Sequence, residues 1–158
     1  MTHSLFEKEQ CNHPFFSEIM KVELVRIDDA FHFEASGASG VINHIDANVD
    51  IGGHNLGARP MELLLMGLGG CTAIDVILIL KKQRQIIEDL RISVDGEREK
   101  IAGTEMTPFH KINIHFAFKG NLDLVKVERA IKLSMEKYCS ATAQFSPSAE
   151  ITHSLSIN

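Results

Sequence analysis

The apolar positions of this chain fall into two periods, one of two residues and one of about four. From Ile19 to Ile27 the pattern alternates, Val22 and Leu24 against Lys21 and Glu23, before Val25 and Ile27 shift phase, as in a strand with a bulge. Asp28-Asp29 marks a turn and Phe31, Phe33 and Ala35 alternate again, which predicts a hairpin. Residues 41–49 supply a third strand, and the run Gly52-Gly53-His54-Asn55-Leu56-Gly57 predicts a loop. Residues 90–97 (LRISVDGE) and 110–118 (HKINIHFAF) alternate over longer stretches and read as antiparallel neighbours. A last strand covers 150–157, with Ile151, Leu155 and Ile157 on one face.

Two segments carry the helical period. The first opens near Pro60, a favoured first helical residue, with Glu62 in the first turn, and runs into Lys81-Lys82-Gln83-Arg84, where cations suit the helix dipole. In the second, Asn121 or Asp123 caps a helix whose Leu124, Val127, Ile131, Met135 and Tyr138 share a face and which ends close to Cys139. The order βββ-α-ββ-α-β is that of an α+β fold, without the βαβ rhythm of a parallel nucleotide-binding sheet. Residues 1–18 read as an N-terminal arm and 19–158 as a single domain, a size that can bury an ordinary core.

The first helix changes the picture most. Residues 63–80 (LLLMGLGGCTAIDVILIL) hold one charge, Asp75, in eighteen positions. That length is marginal for a bilayer and a mid-span carboxylate costs about 2.5–3.5 kcal/mol there, so the helix is expected to be buried in protein, with a second subunit covering part of it. Gly67, Gly69 and Gly70 cost about 2–3 kcal/mol relative to alanine and predict either a close backbone approach or a kink beside Cys71. They do not match a phosphate loop, since neither the strand nor a G-K-[ST] sequence accompanies them.

Composition is ordinary, 44% apolar and 23% charged. Sixteen Lys and Arg against 21 Asp and Glu leave a net charge of −5, which argues against nucleic acid or an anionic membrane as partner. The first twenty residues contain no apolar stretch of a secretory signal, and three cysteines do not suit a disulfide-stapled domain, so a reducing cytoplasmic setting is expected. The eight histidines show no metal-ligand spacing, Cys11-x-His13 aside, so neither a metal nor an organic cofactor is predicted. Cys71 and Cys139 taken singly suit buried filler as well as reactive thiols. Asp75, four residues after Cys71, would raise its pKa, so a reactive thiolate needs a cation from elsewhere.

Residues 59–76 (RPMELLLMGLGGCTAIDV) resemble the central cysteine helix of the OsmC/Ohr family, and Lys137-Tyr138-Cys139-Ser140 with Ala149-Glu150-Ile151 resembles its second cysteine and closing strand. The resemblance extends from about residue 19 to the end. It implies an intertwined homodimer around two buried central helices. It also implies a thiol peroxidase for organic hydroperoxides, with Cys71 peroxidatic, Cys139 resolving and a dithiol as reductant. An apolar pocket around Cys71 would favour an alkyl tail on the peroxide. Family members pair the first cysteine with an arginine from an N-terminal strand, held by a glutamate directly after the proline. Here Met61 follows Pro60 and the acid is Glu62, about 100° further round the helix. Arg26 and Arg59 are the candidate cations. A non-enzymatic OsmC-like thiol sensor, or a binder of a small apolar molecule, is the alternative.

Overall fold

A computed structural model describes residues 19–158. The expected arm, with Cys11 and His13, lies outside the described residues. The chain divides after Gly57 into two units.

The N-terminal unit is an antiparallel three-stranded sheet in the order β1 (Glu23–Arg26), β2 (Phe33–Ser36), β3 (Asn43–Ile45). The hairpin predicted around Asp28 is there, and its first and third strands are shorter than the alternation suggested. Asp28 explains the turn: its carboxylate accepts the N–H groups of Ala30 and His32 at 2.9 and 3.1 Å. After β3 a 3-10 turn, Val49–Ile51, replaces the end of the expected strand. The glycine-rich loop that follows is organised by buried Asp46, whose carboxylate accepts N–H bonds from Ala47, His54 and Leu56 at 2.7–3.0 Å. Those bonds, Leu56 first, hold its pKa below the ordinary value.

The second unit begins at Ala58 and is built around α1 (Pro60–Lys82). Its 23 residues span about 34 Å at 1.5 Å per residue. The Glu62 carboxylate accepts the backbone N–H of Arg59 at 2.9 Å and meets its guanidinium at 3.3 Å, closing a capping box at the N-terminus. One side of α1 packs on a second sheet, β4 (Asp89–Arg98), β5 (Phe109–Lys119) and β6 (Glu150–Ile157). β4 and β5 are antiparallel, as their alternation predicted, and β6 lies parallel to β5. Ile112, Ile114, Phe116 and Phe118 fall on the helix-facing side of β5 and are fully buried, contributing about 1.5–3 kcal/mol each. From α1 the row Leu68, Thr72, Val76 and Leu80, spaced i, i+4, enters the same core.

The chain returns from β5 to β6 by a long crossover, as a parallel pair requires. It holds α2 (Leu124–Leu133), a π turn over Ser134–Tyr138, and a short helix α3 (Ser140–Phe145). Asp123 is the N-cap of α2, accepting the N–H groups of Val125 and Lys126. The helix expected to end near Cys139 does end there, with a π turn as its last turn. The Cys139 N–H bonds back five residues to the Ser134 carbonyl at 2.8 Å, and Cys139 itself is extended before α3 begins.

The glycines do not kink α1, which runs unbroken. At Gly69 the close neighbour is a side chain and not a backbone: a Cβ there would stand 2.9 Å from the Val94 side chain of β4. A Cβ at Gly67 or Gly70 would meet nothing within 4 Å. α1 is long and apolar enough to cross a bilayer, but 28% of its most apolar stretch is already buried within this chain by the sheet and the crossover. On its remaining surface Leu64, Met66, Ile74, Ile77 and Leu78 are 42–62% exposed.

Candidate active site

Cys71 and Asp75 are one helical turn apart on α1 and share a face. Cys139 reaches that face from the crossover, because the π turn ends the helical path just where α1 passes. The Cys71 and Cys139 sulfurs and an Asp75 carboxylate oxygen all lie within 4.8 Å of one another. Cys139 is buried and Cys71 half-buried, and neither is in a disulfide.

Each group has a local partner. Cys139 Sγ accepts the Thr142 N–H at 3.3 Å, and the Ala141 N–H donates to the Cys71 sulfur. The Ser134 hydroxyl donates to Asp75 Oδ2 at 3.1 Å. Thr72 is satisfied within its own helix, donating to the Leu68 and Gly69 carbonyls at 3.0 Å. Burial pushes the Cys71 thiol above its ordinary pKa, and the neighbouring Cys139 and the Asp75 charge push it further, against the opposing Ala141 amide. No cation is among the described groups that act on it.

Within the second unit the candidate site residues separate. Cys71 and Cys139 come together, 68 positions apart in sequence. Arg59 and Glu62 pair with each other at the start of α1, about 18 and 13 Å from Cys71 along the helix axis. In this chain they form the helix cap, and the Arg59 N–H is the main reason Glu62 titrates below the ordinary carboxylate range. Arg26 lies on β1, in the N-terminal unit. Ser134, Ala141 and Thr142 were not anticipated. The one available signal was a serine at 134, set among the apolar positions 131, 135 and 138 of a helical face.

An apolar cavity among the described residues lies away from Cys71. A cavity of about 520 Å³ lies between α1 and β4, walled by Met66, Gly69, Ala73, Ile77, Ile92 and Val94, with Glu62 at its edge. Those α1 residues stand about 120–160° around the helix from Cys71, so the cavity is on the opposite side from the thiols.

The OsmC-like protein family model matches residues 53–154, which include both cysteines and the whole of α1. The chain belongs to the OsmC-like family. Protein YhfA of Escherichia coli K12 is 42% identical over 99 residues, 62% of this chain and 72% of the relative. A hypothetical protein of Aquifex aeolicus VF5 has a similar structure, with a TM-score of 0.73 at 32% identity, covering 89% of this chain and 98% of its own. The organic hydroperoxide resistance protein OhrB of Bacillus subtilis shares the fold at 18% identity, with a TM-score of 0.64 over 88% of this chain and 98% of that one. The α+β fold expected of an OsmC-like chain is therefore the fold observed.

Within this OsmC-like site the Asp75 charge acts against thiolate formation, which sets the sign of a test. Asp75→Asn is expected to move the Cys71 titration to lower pH and to speed its alkylation by iodoacetamide at pH 7. Rates measured from pH 6 to 10 on Cys11→Ser protein check this. An unchanged or upward-shifted profile would mean that the carboxylate does not act on the thiol.

Proposed function

We propose that the protein is a cysteine-based hydroperoxide reductase that uses Cys71 and Cys139 as a redox pair. The observation that carries this reading is the approach of the two sulfurs to within 4.8 Å across a long sequence separation. Cys71 as thiolate attacks the distal oxygen of a hydroperoxide ROOH, and the alkoxide leaves and is protonated to ROH. Cys71 is then a sulfenic acid. Cys139 attacks its sulfur, water is lost, and a Cys71–Cys139 disulfide remains. A dithiol reduces that bond by exchange and restores both thiols. From within 4.8 Å, side-chain rotation can bring the sulfurs to the roughly 2.05 Å of a bond. The Bacillus subtilis fold relative, an organic hydroperoxide resistance protein, agrees in substrate class.

The cycle is assigned to a homodimer in which a second copy covers the apolar surface left on α1 at Leu64, Met66, Ile74, Ile77 and Leu78. The raised pKa of Cys71 gives the partner a second role, since a cation acting on the thiol is needed from beyond the groups described beside it.

The test is the thiol count of Cys11→Ser protein before and after one equivalent of cumene hydroperoxide, followed by mass mapping. Two thiols lost rapidly into a Cys71–Cys139 bond, and again after each addition of dithiol, is the expected result. Slow, single-round loss would instead favour a redox sensor. A second reading, a binder of a small apolar molecule, is favoured by the cavity on the far side of α1. It requires ligand affinity to survive Cys71→Ser and Cys139→Ser.

A further inference from the structure

We propose that reduced Cys71 and Cys139, together with Asp75, bind a thiophilic divalent cation such as zinc through two thiolates and a carboxylate, leaving a fourth position open. Three donor atoms of the right chemistry already lie within 4.8 Å of one another. Around tetrahedral zinc, with bonds near 2.3 Å to sulfur and 2.0–2.2 Å to oxygen, donors stand roughly 3.5–3.8 Å apart. Small side-chain rotations close that difference. Two ligands come from one turn of α1 and the third from the crossover, so the packing that builds the fold also builds the set.

The charge and the surroundings agree with this. All three donors are anionic when deprotonated and are partly or wholly buried, with no cation among the described groups acting on Cys71. A divalent ion turns that mutual repulsion into attraction, and it displaces the thiol protons as it binds. Each ligand also has the outer partner that orients a metal ligand: Ala141 N–H for Cys71, Thr142 N–H for Cys139 and the Ser134 hydroxyl for Asp75. The Thr142 hydroxyl is buried beside Cys139 with no hydrogen-bond partner among the described residues.

Metal binding needs only the reduced thiols and stands whether or not the peroxide cycle operates. The two states exclude each other. Two thiolates, one ROOH and two protons give a disulfide, ROH and water, and the disulfide has no thiolate left to hold the ion.

The experiment is titration of full-length Cys11→Ser protein, reduced and then freed of reductant and metal, with Co²⁺ followed by Zn²⁺. One Co²⁺ per chain is expected, with a thiolate-to-cobalt charge-transfer band that Zn²⁺ abolishes at one equivalent. Cys139→Ser should lose the band. Asp75→Asn should weaken binding at least tenfold while both thiols still react, and Ser134→Ala, which keeps all three ligands, about tenfold. Absence of the band at millimolar Co²⁺ overturns the site, as does binding unaltered in Asp75→Asn. Peroxide turnover is measured separately on metal-free protein, so that either reading can fail without the other.

Discussion

Cys71→Ser protein is expected to lose dithiol-dependent cumene hydroperoxide reduction by about a thousandfold or more, because a nucleophile cannot be replaced by its neighbours. Serine keeps the shape and the Ala141 hydrogen bond, but its hydroxyl is not ionised near neutrality and does not accept oxygen from a peroxide. Cys139→Ser should behave differently. The first step survives, so one equivalent of peroxide is consumed and a sulfenic acid accumulates on Cys71, trappable with dimedone, while steady turnover collapses. The proposed order of roles follows the exposure of the two thiols. Cys71 is the less buried of the two thiols, and Cys139 is 4% exposed. A dimedone adduct on Cys139 in Cys71→Ser protein, with none on Cys71 in Cys139→Ser protein, would reverse the assignment.

Oxidation of the pair is expected to stabilise the protein by about 4 kcal/mol, close to a thousandfold in the folding equilibrium. A Cys71–Cys139 bond closes a loop of about 69 residues, and the chain-entropy account of cross-linking gives that magnitude at 25 °C. The bond would tie the middle of α1 to the crossover, two elements that unfolding would otherwise separate. With an m-value of about 2 kcal/mol/M, the urea midpoint of oxidised protein should lie roughly 2 M above that of reduced protein. The comparison is made at one protein concentration, since association would raise both. An oxidised form no more stable than the reduced one would point to strain in the bond that offsets the entropy.

Much of this was legible in the sequence where neighbours along the chain determine the outcome. Period-two runs placed β4, β5 and β6 within one or two residues, and Pro60, Glu62 and the terminal lysines delimited α1. The π character of the second helix's last turn left no trace, because Ile131, Met135 and Tyr138 keep a helical spacing that a π turn also accommodates. The wider turn is set by contacts across space: buried Ser134 reaches Asp75 and the Thr72 carbonyl on α1. Ser140-Ala141-Thr142-Ala143 has no apolar stripe, so α3 left no periodic trace. The thiol pair itself came from a family resemblance rather than from spacing. The donor set of Cys71, Asp75 and Cys139 could not be found that way, since its members share no local pattern. An apolar pocket at Cys71 was likewise an implication of that resemblance. Which side of α1 meets the thiols is decided by the crossover, and the cavity was left on the other.

The parallel pairing of β5 with β6 has a kinetic consequence. Lys111 pairs with Glu150 and Phe118 with Ile157, so each bridge joins residues 39 apart. The β4–β5 ribbon, by contrast, can zip from its own turn. Contacts of such long separation form slowly, because the intervening chain must be confined before any pairing rewards it. The segment confined here is the crossover that delivers Cys139. The β4–β5 ribbon is therefore expected to form before β6 pairs with β5. Docking of β6 on β5 is also the step that fixes the crossover and brings Cys139 to Cys71.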